Sequence, residues 1–148
     1  MSELTARRQL LDAFVLNLQR INGAPAYRTT VGSVATLEPG QLDPERVEDG
    51  LAVYVEKQER ATDPAVMRTH RLTTVAVVVK RKGGAAAEAA LDAVIDDIER
   101  AVEDRQQTWP VGFSKPEYQS MEPLRAPAGA DWIGALLRYT THIPKLTR

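Results

Sequence analysis

The sequence predicts an α+β fold: a mixed or antiparallel sheet of four to five strands with two main helices packed on one face. Three observations carry this expectation. An amphipathic stripe with three- and four-residue spacing opens the chain, valine-rich runs follow it, and a second helical stripe separates those runs from a final alternating segment. With 148 residues, 43% of them apolar, the chain is sized for one domain over 1–148 with a core of its own.

Leu11, Phe14, Val15, Leu18 and Ile21 put one apolar stripe on a first helix over about residues 3–22, with Asn22-Gly23 as a left-handed stop. Pro25 blocks continuation, and Tyr27-Arg-Thr-Thr-Val31 has the β-branched and aromatic content of a short strand. Gly32 to Gly50, with Pro39-Gly40, Asp43-Pro44 and Asp49-Gly50, reads as a long loop with room for one helical turn from Pro44 to Val47. Leu51 to Lys57 is a strand, and the run from Met67 to Arg81 is its antiparallel partner. Between them Gln58 to Val66 forms an exposed hairpin arm.

A tight turn at Lys82-Gly83-Gly84 leads into a second helix over about Ala85 to Asp104. Ala87, Leu91, Val94, Ile95, Ile98 and Val102 form its buried stripe, and Asp96 and Arg100 sit four apart in the favourable orientation. Trp109-Pro110, Gly112-Phe113 and Lys115-Pro116 interrupt regular structure. Glu117 to Arg125 is a strand disturbed near Pro123. Asp131 to Ile143 is a long last strand, with Ile133, Ala135, Leu137, Tyr139 and Ile143 on one face and Trp132, Gly134, Leu136, Arg138 and His142 on the other. Two helices cover one face of such a sheet. The reverse face still carries Leu72, Ala76, Val78, Trp132 and Leu136, which calls for a neighbouring subunit or the long loops to cover it.

Charge and chemistry narrow the function. Nineteen basic and twenty acidic residues give a net charge of −1 with both signs scattered, so the concentrated basic surface that nucleic acid requires is missing. There is no cysteine, which excludes disulfides and thiolate chemistry and suits assembly in a reducing cytoplasm. The N-terminal segment reads as neither a signal peptide nor a membrane span, so a chain soluble as made and without a membrane partner is expected. Gly83-Gly84 lacks the pattern of a phosphate loop. His70 and His142 are the only imidazoles and would need to meet beside a carboxylate to hold zinc or iron; neither Ser33 nor Ser114 lies in a nucleophile elbow. Asp96-Asp97 and the other adjacent acidic pairs read as solvated charge, because neighbours on a helix point about 100° apart. No cofactor and no metal is implied. Trp109 and Phe113 have two readings, an anchor for a partner or a plug folded over the core.

The order of these elements resembles the tail terminator proteins (minor tail or tail-completion proteins) of long-tailed bacteriophages. The residues that carry the resemblance are the N-terminal amphipathic helix, Leu51-Ala-Val-Tyr-Val-Glu-Lys57, Leu72-Thr-Thr-Val-Ala-Val-Val-Val-Lys-Arg81, the Ala90 to Val102 helix, and the last strand from Gly129 to Thr140 closing in Thr141-His142. The match spans nearly the whole chain but contains no catalytic signature, and the Gly32–Gly50 and Trp109–Pro116 segments fall outside it.

The resemblance implies a structural virion protein of the tail, assembled in the host cytoplasm. As a homo-hexameric ring it would dock on the tail tube protein, stop tube polymerisation and offer a surface to the head-tail connector protein. A cap of this kind matches one face of the stacking subunit and fails to reproduce the other. A neutral or acidic lumen would let the genome pass without sticking. Within that expectation the reverse sheet face (Leu72, Val78, Leu136) and the edge strands form the ring interface. Gln58, Glu59, Arg60 and Asp63 of the arm, with Trp109 and Phe113, contact neighbouring rings. Two alternatives stand beside it: a head-completion or neck connector protein, and a small cytoplasmic α+β enzyme with an inter-subunit site built from Asp43, Glu56 and His70.

Overall fold

The structure, a computed structural model, describes residues 4–23, 25–36, 49–103, 109–129 and 131–145. Helix α1 runs over Ala6–Leu18, opened by Thr5, whose side chain accepts from the Arg8 amide and so satisfies one orphan donor of the first turn. It is shorter than the apolar spacing predicts. The buried Asn17 amide donates back to the Ala13 carbonyl at 2.9 Å, and the chain then tightens to three-residue bonds from Arg20 to Asn17 and from Ile21 to Leu18. This side-chain competition ends the helix before Gly23, whose φ of +92° serves the next turn.

The strand expected at Tyr27–Val31 does not form. The amides of Arg28 and Thr29, which a strand would commit to a ladder, both donate to the Asp97 carboxylate. A 3-10 turn over Val31–Val34 and a two-residue strand, β1 (Ala35–Thr36), follow. The predicted loop from Gly32 to Gly50 is therefore ordered at both ends, since strand β2 covers Asp49–Arg60. The proposed turn at Pro44–Val47, and Asp43 with it, lie outside the described residues.

Strands β3 (His70–Lys82), β4 (Glu117–Arg125) and β5 (Trp132–Pro144) complete a mixed five-stranded sheet in the order β1-β2-β3-β5-β4, with only the β1–β2 pair parallel. The valine run of β3 is central, paired with β2 from Asp49↔Arg81 to Arg60↔Arg71 and with β5 from Lys82↔Trp132 to His70↔Pro144. Helix α2 spans Ala87–Glu103 after the turn at Gly83-Gly84. A side chain at Gly134 of β5 would strike the Val79 carbonyl of the β3 backbone, so glycine is required where these two strands lie side by side.

Both helices lie on one face of the sheet, as predicted. Leu51 and Val53 of β2, Val75, Val77 and Val79 of β3, and Ala135, Leu137, Tyr139 and Ile143 of β5 meet Leu10, Phe14 and Leu18 of α1 and Leu91, Val94, Ile98 and Val102 of α2. Phe14 is fully buried between Trp109 and Tyr139, with ring centroids 4.8 and 6.0 Å away. Burial of a side chain this size contributes roughly 1.5–3 kcal/mol, before any added ring–ring term.

Candidate functional site

The two histidines and Glu56 serve as structural ties in the described residues. His70 Nε2 lies 2.9 Å from the Gly112 carbonyl, which can only accept, so that nitrogen carries the hydrogen and Nδ1 faces the Thr69 hydroxyl at 2.8 Å. His142 Nε2 accepts from the Thr62 amide at 3.2 Å. Each imidazole thus fastens one loop. Glu56 is held by Arg138 Nε through both carboxylate oxygens, at 2.9 and 3.0 Å, and lies on the bulge of β2 beside the Lys57↔Thr74 pair. His70 begins β3 several residues from Thr74, roughly 13 Å along a strand, so the structure does not bring Glu56 and His70 together. Among the described residues, no group of three or more His, Asp or Glu is placed to hold a metal ion. No described helix is long and apolar enough to cross a membrane.

The reverse face of the sheet differs from the bare apolar surface that the sequence predicts. Leu72 and Leu136 are half-buried, and Val78 is only 8% exposed. Arg138 on β5 reaches Glu56 on β2 and Glu122 on β4, the latter at 2.9 Å, so its ion pairs span the sheet across Ala76, its register partner on β3. Hydrogen bonding to Glu56 is the main cause raising the Arg138 guanidinium further above its ordinary range, against a smaller opposing effect of burial. Lys80 lies 4.6 Å over the Trp132 ring. Long charged side chains therefore cover small apolar ones on this face.

The arm residues divide by task. Gln58 bridges Arg7 of α1 at 3.1 Å and Thr73 of β3 at 2.9 Å, and Asp63 accepts from the Ala65 amide to cap a short 3-10 turn. Both have local structural work. Glu59 pairs with Lys57, and Arg60 rests on the Met67 sulfur; these two stay on the surface. The arm is also tied down, since Ala61 is buried and the Lys145 amide donates to the Thr69 carbonyl.

Trp109 and Phe113 pack against the core, which matches their reading as a plug. The Trp109 Nε1 is buried and has no hydrogen-bond partner among the described residues. The segment is pinned by Ser114, whose hydroxyl accepts from the His142 amide at 2.7 Å and whose carbonyl accepts from the Thr141 hydroxyl at 2.6 Å. Pro110 to Phe113 closes as a turn with Gly112 at φ +89°, and Val111 at its apex is fully exposed. Between this turn and α1 lies an open hollow of about 550 Å³, lined by Leu4, Leu16, Trp109 and Pro110 with Gln9 and Asp12.

Sequence reasoning missed several residues. The large apolar side chains most exposed among the described residues are Leu4, Leu16, Val111 and Tyr118, none of them on the reverse face. Asp97 is not solvated: it is fully buried and accepts from the Arg28 amide, the Thr29 amide and the Thr29 hydroxyl, the last two at 2.7 Å. Its position between Val94, Ile98 and Ala101 on the apolar stripe was the available signal. Asp96 pairs with Arg28 at 3.2 Å, while Arg100 donates to the Ala26 carbonyl, so the spacing of Asp96 and Arg100 reflects two separate ties to one loop.

No protein-family model and no curated protein matches the sequence. Among solved structures, the chain is similar to one from the virion of a native gene transfer agent particle, with 18% identity and a TM-score of 0.59, covering 94% of this chain and 98% of that one. At that identity the likeness establishes a shared fold.

Proposed function

We propose that this chain is a structural virion protein that forms a ring at the end of a tail, as a tail terminator does. The observation that carries the reading is the likeness to a virion chain over nearly the whole length of both partners. The resemblance in element order supports the finer role: a six-membered ring that caps the tail tube, ends its growth and presents a surface to the connector. The geometry of the described residues, where histidines and carboxylates serve loops and ion pairs, supports a structural role over a catalytic one.

Ring neighbours meet, in this reading, along the sheet edges and over the reverse face at Leu72, Val78 and Leu136. Glu59 and Arg60 of the arm, with the apolar surface beside Trp109 and Phe113, face adjacent rings. The direct test adds purified protein to polymerising tail tubes and measures tube length, with imaging of the tube ends. Arrest of growth with one ring per end is expected. Tubes of unchanged length with bare ends would overturn the reading. For the reverse face, Leu136→Asp is a cleaner probe than Val78→Asp, because a carboxylate at the nearly buried Val78 would unfold the sheet as well. Leu136→Asp should lower ring formation several-fold with helical circular dichroism unchanged.

A further inference from the structure

We infer that neighbouring copies of this chain join by strand pairing, the outer edge of β4 in one subunit lying antiparallel against the upper outer edge of β2 in the next. This deepens the ring reading and rests on it.

Among the described residues, the two edges are unpaired over matching lengths. On β2, β1 pairs only with Leu51 and Ala52, so among the described residues no strand lies outside Val53–Arg60. On β4, Pro123 has no amide hydrogen to offer, and a proline within a strand marks an edge. Its height follows from the registers: Pro123↔Ala135, Ala135↔Val79 and Val79↔Leu51. Both edges are therefore obstructed at the same level and, among the described residues, unpaired above it.

Above that level the residues correspond. Through β5 and β3, Glu117 stands at the height of Lys57, Tyr118 at Val55, Ser120 at Tyr54 and Met121 at Val53. The alternation is shared, since Met121 and Val53 both pack toward the helices. Glu117 would face Lys57 with opposite charge. Tyr118, 42% exposed at the open edge, would be covered by Val55. Strand polarity fits as well: three successive antiparallel pairings make β2 and β4 run in opposite directions, so a neighbour added without inverting the sheet supplies an antiparallel partner.

Two different edges make a heterologous joint, which closes a ring when each step turns the chain. Each open edge carries one irregularity, between Val55 and Lys57 and between Tyr118 and Ser120, and such bulges bend and twist a sheet. The joint is short, and a closed circle leaves no free edge to recruit further chains.

The test uses the absence of native cysteine. Tyr118→Cys and Val55→Cys are made singly and together, oxidised under the conditions used for tube capping, and run on non-reducing gels. Within one subunit the two positions are three strand spacings apart, about 14 Å, too far for an internal disulfide. Each single variant should remain uncross-linked, their equimolar mixture should give dimers, and the double variant should give a ladder ending at the ring number. Glu117→Lys or Lys57→Glu alone should weaken association several-fold, and the combined reversal should restore it. Rings that form without cross-linking, or Tyr118→Cys joining to itself, would overturn the strand pairing and leave the ring reading standing. A chain that neither forms rings on tubes nor cross-links would overturn both.

Discussion

Asp97 shows how one carboxylate can organise a region that propensity alone misassigns. It replaces a β-ladder by gathering the amides of Arg28 and Thr29 and the Thr29 hydroxyl, and so fixes the path from α1 to β1. Asp97→Ala should cost about 2–4 kcal/mol in urea unfolding, because it leaves several donors without an acceptor in a buried setting. Asp97→Asn keeps the shape and should cost less. Glu99 behaves differently. Burial raises its carboxyl above the ordinary range, with Glu103 and Asp96 adding repulsion. A raised folded-state pKa means the favourable protonated form is fully present below the unfolded value and is lost as pH rises through the folded one. Glu99→Gln should therefore raise the melting temperature at pH 7 and give no gain once the pH falls below the carboxylate range; an equal gain at both pH values would refute this assignment. Near it, burial pushes the Tyr139 phenol well up, and Glu103, Glu99 and Tyr118 push it further.

Among elements, α2, β3 and β5 were legible because each repeats one period long enough to be unambiguous. The stripe Leu91, Val94, Ile98 and Val102, the valines of β3 and the alternation Ala135, Leu137, Tyr139 all face the core as read. The misreadings came where a distant group decides a local conformation. Asp97 lies 68 residues from Thr29, and no local pattern announces that bond. Exposure of the reverse face was misjudged for a similar reason, since the charged chains that span it arrive from three strands. Of the predicted contact residues, Glu59 and Arg60 are on the surface, whereas Trp109 and Phe113 largely serve packing. Leu16, 66% exposed on α1, tests that division. Leu16→Glu should leave stability within about 0.5 kcal/mol, while Phe14→Ala beside it should cost about 3–5 kcal/mol by chemical denaturation. In β4, Pro123→Ala should change stability little and raise self-association measured by light scattering, because it restores a donor to the edge.

At the scale of the whole molecule, the sheet has one face sealed by helices, a reverse face crossed by ion pairs and, among the described residues, two edges unpaired at the same height. A protein that must assemble to a fixed number and then stop needs joints that close on themselves, and unlike edges within one chain provide that geometry. The fold was readable from the sequence; the matching heights behind the proposed joint were not, because they depend on registers carried through four strands. The most direct measurement is electron microscopy of tail tubes grown with and without the purified protein, with the ends classified by symmetry. The account predicts short tubes, each ended by a single closed ring of six copies. Tubes that keep growing past the added protein, with no ring at either end, would contradict it.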